Sequence, residues 1–305
     1  MLSIKKSWTQ SGRQAFDTLN LCPTRRYHSV IANLEERMTV ALPSHLLTSP
    51  DTMPDRVADR ICDSGAWAAI LAARAGAGVI ESAHYPVYGP LVSAGRASRL
   101  VIGQFGQSLD GRIATPSGES KYLNGVGGLS HLHRLRALVD AVVVGVSTVV
   151  ADDPLLTVRM VEGASPARVV IDPTGRVPRG ARVFADDGAR RIVVTDVGCD
   201  AAFPDGVEVV PVAGIDRGLP PAAIVAALAN AGLRQLLIEG GAHTVSRFLQ
   251  SGMLDRLHVA VAPVLIGGGR AGISLCDINT LSDCLRPKID VHRLGDDVLF
   301  DCQFG

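Results

Sequence analysis

LLIEGGAHTVSRFL, residues 236–249, runs through an apolar stretch, an acid at its end, a glycine pair and an amphipathic helical pattern. Leu236 to Ile238 show no polar alternation, which suits a strand covered on both faces. Beyond Gly240-Gly241 the apolar positions Val245, Phe248 and Leu249 recur at helical spacing. Strand, tight turn and helix make the unit of an open α/β sheet, whose ligands bind beyond the carboxyl ends of the strands. A helix N-terminus there offers bare N–H groups to a phosphate, and glycines let a pyrophosphate come close. An ordinary strand-to-helix turn, with Glu239 near the helix dipole, would read the same way. The dinucleotide fingerprint G-x-G-x-x-G is absent, so a nicotinamide cofactor would need another fold.

Outward from this segment the same texture recurs from about residue 96. Apolar runs at 100–105, 141–146, 168–172, 191–195, 207–212, 257–266 and 298–304 read as strands, most without alternation. Helical patterns fall at 130–139, where Leu132, Leu135 and Leu138 repeat, and after Pro220-Pro221, with Ile224 and Leu228. Residues 1–95 differ: prolines interrupt them, and only 29–39 and about 55–73 read as helices. The expectation is an N-terminal extension over 1–95 and an α/β domain over 96–305.

The 305 residues are 47% apolar and 20% charged, as a folded globular chain requires, and 30 basic residues balance 30 acidic ones. No net charge draws the chain to nucleic acid or anionic lipid. The longest apolar stretch, residues 66–80, contains Arg74 and is too short to span a membrane. Six cysteines form no C-x-x-C and read as reduced thiols of a cytoplasmic protein. Residues 1–30, basic but without a signal peptide's apolar centre, read as a loosely packed arm.

Three further clusters could carry chemistry. In VGVSTVVADDPLLTVR (144–159) a strand ends at Val146, and the pair Asp152-Asp153 fits a turn better than an acid/base pair or metal ligands. Pro154 should bias Asp153 towards an extended conformation. In FGQSLDGRIATPSGESKYLNG (105–125), Ser108, Asp110 and Gly111 suggest a strand-exit turn, and Thr115 to Gly118 another. The loop is either plain polar surface or a substrate loop with Ser120 as donor and Tyr122 as stacking surface. His131 and His133, two apart on a helix, point roughly 200° away from each other and cannot chelate one ion, so no metal is expected. Arg134 and Arg136 fit surface charges, or an arginine aimed at a substrate phosphate. APVLIGGGRAG (262–272) is a second glycine-rich strand end, a ligand-facing turn or a loop.

Taken in order, S-L-D-G-R-I-A, G-E-S, L-R-A followed by D-A, G-V-S-T-V-V-A-D-D-P-L-L-T-V-R, R-V-V-I-D-P, E-G-G and P-V-L-I-G-G resemble the reductase domain of the bacterial riboflavin-biosynthesis deaminase/reductase family. The resemblance covers residues 99–304. It implies a dihydrofolate-reductase-like three-layer α/β/α domain with a mostly parallel sheet. It also implies NADPH-dependent reduction of the ribosyl group of 5-amino-6-(5-phosphoribosylamino)uracil to ribityl, commonly by a homodimer. Another pterin-like or heterocyclic substrate, or a non-catalytic nucleotide-binding module, would share the same fold. Position by position, the resemblance assigns Gly106, Tyr122, Thr148, Asp152 and the turn Gly241, Ala242, His243, Thr244, Val245, Ser246 and Arg247 to the cofactor. Ser120, Arg136, Leu156, Arg159 and Glu239 go to the phosphorylated pyrimidine. Glu239 would orient the substrate and Asp110 would assist ring opening as an acid. The zinc-deaminase signatures H-x-E and P-C-x-x-C do not occur in residues 1–95. Pro173 stands where relatives carry a small polar residue near the cofactor's 2′-phosphate.

Overall fold

The computed structural model describes residues 64–78, 85–93, 95–215 and 218–304, with Cys62 and Ile80. The helix expected at 29–39 lies outside them, as does the first part of the one expected at 55–73. The described part of the latter is α1 (Ser64–Arg74), and a short α2 (Gly89–Ser93) follows.

From residue 100 the chain builds β1 (Leu100–Ser108), β2 (Arg112–Ala114), α3 (Val126–Leu138), β3 (Ala141–Gly145), α4 (Val146–Asp152), β4 (Ala167–Ile171), β5 (Arg191–Asp196) and β6 (Val207–Val212). It continues through α5 (Pro221–Asn230), β7 (Gln235–Glu239), α6 (Ala242–Gln250), β8 (Arg256–Ala262), β9 (Arg270–Ala271), β10 (Lys288–Leu294) and β11 (Asp297–Gln303). Nine strands form one sheet in the order β10-β11-β8-β1-β7-β3-β4-β5-β6, and β2 pairs with β9 apart from it. Strands β8 through β6 of that order run parallel; β11 and β10 are antiparallel.

Strand alternation sorts the apolar residues into two cores. Val142, Val144, Val170 and Leu237 face one side, where Leu135 and Leu138 of α3 cover them; Val143, Val169, Leu236 and Ile238 face the other, under Ile224 of α5 and Phe248 of α6. This gives three layers, α/β/α, with a mostly parallel centre. Trp67, Ile70, Val87, Tyr88 and Leu91, from the segment read as an extension, are buried in the first core. No helix among the described residues is long and apolar enough to cross a membrane.

Two local expectations are corrected. The strand read at 257–266 stops at Ala262, and the glycine-rich stretch after it is a loop tied to the β1 exit: Asp110 accepts from the Ile266 and Gly267 N–H groups at 3.1 and 2.6 Å. Asp153 is not extended but left-handed, φ 39° and ψ 59°, because it closes α4 with an N–H bond to the Val149 carbonyl. Its carboxylate also accepts from the Arg182 N–H at 2.7 Å.

Candidate active site

Alternation along β7 places Glu239 on the same face as Leu237, towards α3, while the chain turns through Gly240-Gly241 to α6 on the opposite face. Arg136, in the last turn of α3, meets it there. Nε and Nη2 of Arg136 each donate to a different Glu239 oxygen at 2.7 Å, and Nη1 donates to the Thr157 carbonyl at 2.9 Å. Only about 6% of either residue is exposed. Burial pulls the Arg136 guanidinium down, yet the facing Glu239 charge and its hydrogen bonds outweigh it and leave the pKa raised. Such a two-bond pair fixes orientation as well as charge.

Thr157 extends the cluster to the surface. Its hydroxyl accepts from Arg159 Nη1 at 2.6 Å, and the Arg159 N–H donates to His133 Nδ1 at 3.0 Å. Arg159 is exposed, and its pKa is lowered by burial of part of the side chain and by the Arg136 and Arg182 charges. One buried, neutralised arginine and one exposed arginine thus share the mouth of the β7 end. Leu156 in the same loop has φ 56° with its side chain in the core. Among the described residues, the non-glycine positions with positive φ are Tyr122, Asp153 and Leu156, the last two in the segment that follows α4.

On the opposite face of the sheet, towards α5 and α6, the carboxyl ends of β3 and β4 border a cavity of about 210 Å³. Gly145, which lines it, has no room for a side chain. A Cβ on Gly145 would stand 2.5 Å from Thr244 Oγ1, and one on Gly241, at φ 39°, 3.0 Å from Thr148 Oγ1. The turns that end β3 and β7 therefore pack against each other with only threonine hydroxyls and backbone between them. Residues 218–221 of the α5 approach close the outer wall, and Arg176, His243 and Arg247 also line the cavity.

The sequence profile of the RibD C-terminal domain matches residues 99–299. This chain belongs to that family. Among RibD C-terminal domain proteins, it is 35% identical over 215 residues to the 2,5-diamino-6-ribosylamino-4(3H)-pyrimidinone 5′-phosphate reductase of Methanothermobacter thermautotrophicus, covering 66% of this chain and 96% of that one. It is also 35% identical over 203 residues to the riboflavin biosynthesis protein RibD of Aquifex aeolicus, covering 64% of this chain but only 55% of the relative. A crystal structure of the Thermotoga maritima deaminase/5-amino-6-(5-phosphoribosylamino)uracil reductase superposes with a TM-score of 0.59 at 27% identity, covering 73% of this chain and 60% of that one. The chain therefore spans little more than half of its two-activity relatives.

Within this RibD C-terminal domain the residues singled out in the sequence are not all equivalent. Glu239, Arg136 and Arg159 come together, with the Leu156 backbone beside them. His243, Thr244 and Arg247 line the cavity, and Thr148 and Gly241 approach each other in the turns that end β3 and β7. Ala242 opens α6 there. Val245 and Ser246 do not face the cavity: Val245 is fully buried in the second core, and the Ser246 hydroxyl accepts from the Ser274 N–H at 2.9 Å. Asp152 is exposed at the far end of α4 without a hydrogen bond or ion pair among the described residues. Ser120 and Tyr122 are exposed on the 115–125 loop, and neither bonds to the cleft among the described residues. Asp110 is unsuited to its expected part. Hydrogen bonds from Ser108 Oγ, the Ile266 N–H and the Gly267 N–H hold its carboxyl at about 2, so it is an ionised loop clip and no proton donor.

Gly106 answers to a neighbour within the chain. A Cβ there would run into the Asn124 side chain, whose Nδ2 donates to the Ala260 carbonyl at 3.1 Å. Gly106→Ala is expected to displace Asn124 and lower stability by about 1–3 kcal/mol, the usual range for overpacking. An unchanged urea midpoint would show that the loop yields freely. Thr157 and Gly145 were missed by sequence reasoning, which weighed His133 only as a metal ligand and set it aside; Gly145 left a signal, as a glycine ending an apolar run.

Proposed function

We propose that this chain is a cytoplasmic, NADPH-dependent reductase that converts the ribosyl group of 5-amino-6-(5-phosphoribosylamino)uracil to ribityl, without deaminating it, and works as a homodimer. The observation that carries this reading is the Arg136–Glu239 pair, buried at the carboxyl end of β7, with a cation-lined cavity at the ends of β3 and β4, next in the sheet. The relatives' names supply the substrate class. The apolar, exposed Ile289 and Val291 of the sheet-edge strand β10 support self-association.

The cavity suits the cofactor. Gly145 and the start of α6 at His243 and Thr244 offer backbone to a diphosphate, and the lining holds two arginines and a histidine but no carboxylate. NADPH, when bound, supplies the hydride. The chain's part is to hold both molecules and exclude water. Glu239 uses both oxygens on Arg136, so it acts by fixing that guanidinium, which keeps unused N–H groups for the substrate. Arg159 offers an exposed charge at the mouth for the 5′-phosphate.

The test is NADPH oxidation with the deaminated phosphoribosylaminopyrimidine, with its diamino precursor and with the dephosphorylated ribosylamino compound as comparisons. Arg159→Ala is expected to raise KM for the phosphorylated substrate about 10- to 100-fold, the loss of one charge-assisted hydrogen bond. It should leave KM for the dephosphorylated compound unchanged. Equal effects on both would remove Arg159 from the phosphate site, and turnover of other heterocycles alone would sink the substrate.

A further inference from the structure

We propose that Trp67 of α1 is a positioning residue for the substrate, its indole N–H holding the loop that presents Arg159 so that the guanidinium is in place for the 5′-phosphate; the proposal rests on the phosphate reading of Arg159. Between the end of α4 and the start of β4, residues 153–166 form neither helix nor strand. Segments of this length without regular structure, inside a compact domain, usually serve function or wander. This one is fastened at successive points. Arg136 Nη1 donates to the Thr157 carbonyl at 2.9 Å, the Val158 N–H to Ser165 Oγ at 3.1 Å, and the Arg159 N–H to His133 Nδ1 at 3.0 Å.

The tip of the loop, residues 160–163, reaches beyond those bonds to α1. There Trp67 Nε1 donates to the Glu162 carbonyl at 3.0 Å, three residues from Arg159. At Gly163, with φ 138°, a Cβ would stand 2.6 Å from the Ala137 Cβ of α3 and 3.7 Å from Leu71 Cδ2 of α1, so the backbone of the tip lies against both helices. Val161 packs on the first core, while Met160 and Glu162 are exposed.

The donor is itself held firmly. Trp67 is buried, with the Arg134 guanidinium 5.6 Å over its ring and the Tyr88 ring edge-on at 5.8 Å. Ahead of α1, the Cys62 carbonyl accepts from Arg134 Nη2 at 3.0 Å. At the other end of the helix, Arg74 Nη2 donates to Asp140 Oδ1 at 2.8 Å, and Asp140 Oδ2 accepts from the Gln235 N–H that opens β7 at 2.9 Å. The helix is therefore tied to α3 and to the sheet at its two ends. Filling the core asks only for an apolar ring at position 67; the indole N–H on the Glu162 carbonyl adds a fixed point for the loop. A loop ordered before the phosphate arrives need not be ordered by it, and the substrate binds more tightly for that reason.

The experiment is steady-state kinetics of the full chain with the phosphorylated and the dephosphorylated substrate, for wild type, Trp67→Phe, Arg159→Ala and the double variant. Trp67→Phe keeps an aromatic ring and removes the donor. It is expected to raise KM for the phosphorylated substrate about 2- to 10-fold, the range for one neutral hydrogen bond, with kcat and the KM for NADPH unchanged. KM for the dephosphorylated compound should not move. With Arg159 already replaced, Trp67→Phe should add nothing, because it acts through that side chain. A rise for both substrates alike, a further rise in the double variant, or unaltered kinetics whatever the Tm would each reduce Trp67 to packing and overturn the proposal. Arg159→Ala without effect on either substrate overturns the phosphate reading and the proposal with it. Should Trp67→Phe fail to fold, replacing Trp67 by benzothienylalanine, which has sulfur in place of the indole N–H within the same outline, gives the same comparison.

Discussion

Glu239→Gln is expected to cost about 3–5 kcal/mol of stability, because it keeps the side chain's volume but leaves the buried Arg136 guanidinium without its counter-charge. For a domain of this size that corresponds to a fall in Tm of roughly 6–20 °C. Turnover should fall with it even at temperatures where the variant is fully folded, since Arg136 loses the two bonds that set its orientation. Both effects can be separated. Replacing a whole buried ion pair by apolar residues of similar volume is often neutral or stabilising, so Arg136→Met with Glu239→Leu should recover most of the melting temperature. It should recover none of the activity. A glutamine variant as stable as wild type would mean that Arg136 finds another partner, and a double variant that is stable and active would remove the pair from the reaction.

That pairing marks the limit of what the sequence could tell. Glu239 is legible because it ends an apolar run before two glycines, and Arg136 because it sits in a helical pattern. Their meeting is a contact between residues 103 positions apart, created by strand order. The central strands β3, β4, β5 and β7 were legible because burial on both faces removes alternation, while the exposed edge strand β6 showed through its valines. β10 was not: Lys288, Asp290 and Arg293 interleave Ile289 and Val291 on an exposed edge, where no core imposes a pattern. α4 was hidden by its composition, VSTVVAD, whose β-branched residues favour strands; Val146 and Val149 packing into the first core overrides that preference. His131 and His133 point apart on α3, as a spacing of two on a helix requires. Each is buried and meets a different part of the chain, His133 the Arg159 backbone and His131 the His258 side chain of β8.

Stability is expected to decline as pH falls from about 6.5 towards 4, ahead of the range in which carboxylates are protonated, and His131 is the main reason. Tyr88 Oη lies 2.9 Å from His131 Nδ1, His131 Nε2 lies 3.1 Å from His258 Nδ1, and His258 Nε2 lies 3.3 Å from Asp301 Oδ1, all buried. Arg256 also pairs with Asp301, whose carboxyl sits at about 2: burial raises it, and the hydrogen bonds and charges of His258 and Arg256 bring it down. Both ring nitrogens of His131 thus face partners inside the core, Tyr88 and His258, and burial favours its neutral form. Burial first, then the His258 and Arg134 charges, put the His131 pKa well below 6.5; burial, then Arg136 and Arg159, put that of His133 at about 4. With folded values below the unfolded one, the unfolded chain takes up protons first. The stabilisation is complete above pH 6.5 and is lost as pH falls through the folded values, at up to about 1.4 kcal/mol per pH unit for each histidine. Urea midpoints between pH 7.5 and 4.5 measure this, and a flat profile from 7 to 5 would refute it. His131→Phe should be less stable at pH 7.5, because it strands the Tyr88 hydroxyl and His258 Nδ1, yet lose stability less steeply with acid. Because α3 carries both His131 and Arg136, acid inactivation should follow loss of the fold rather than titration of a group in the cleft.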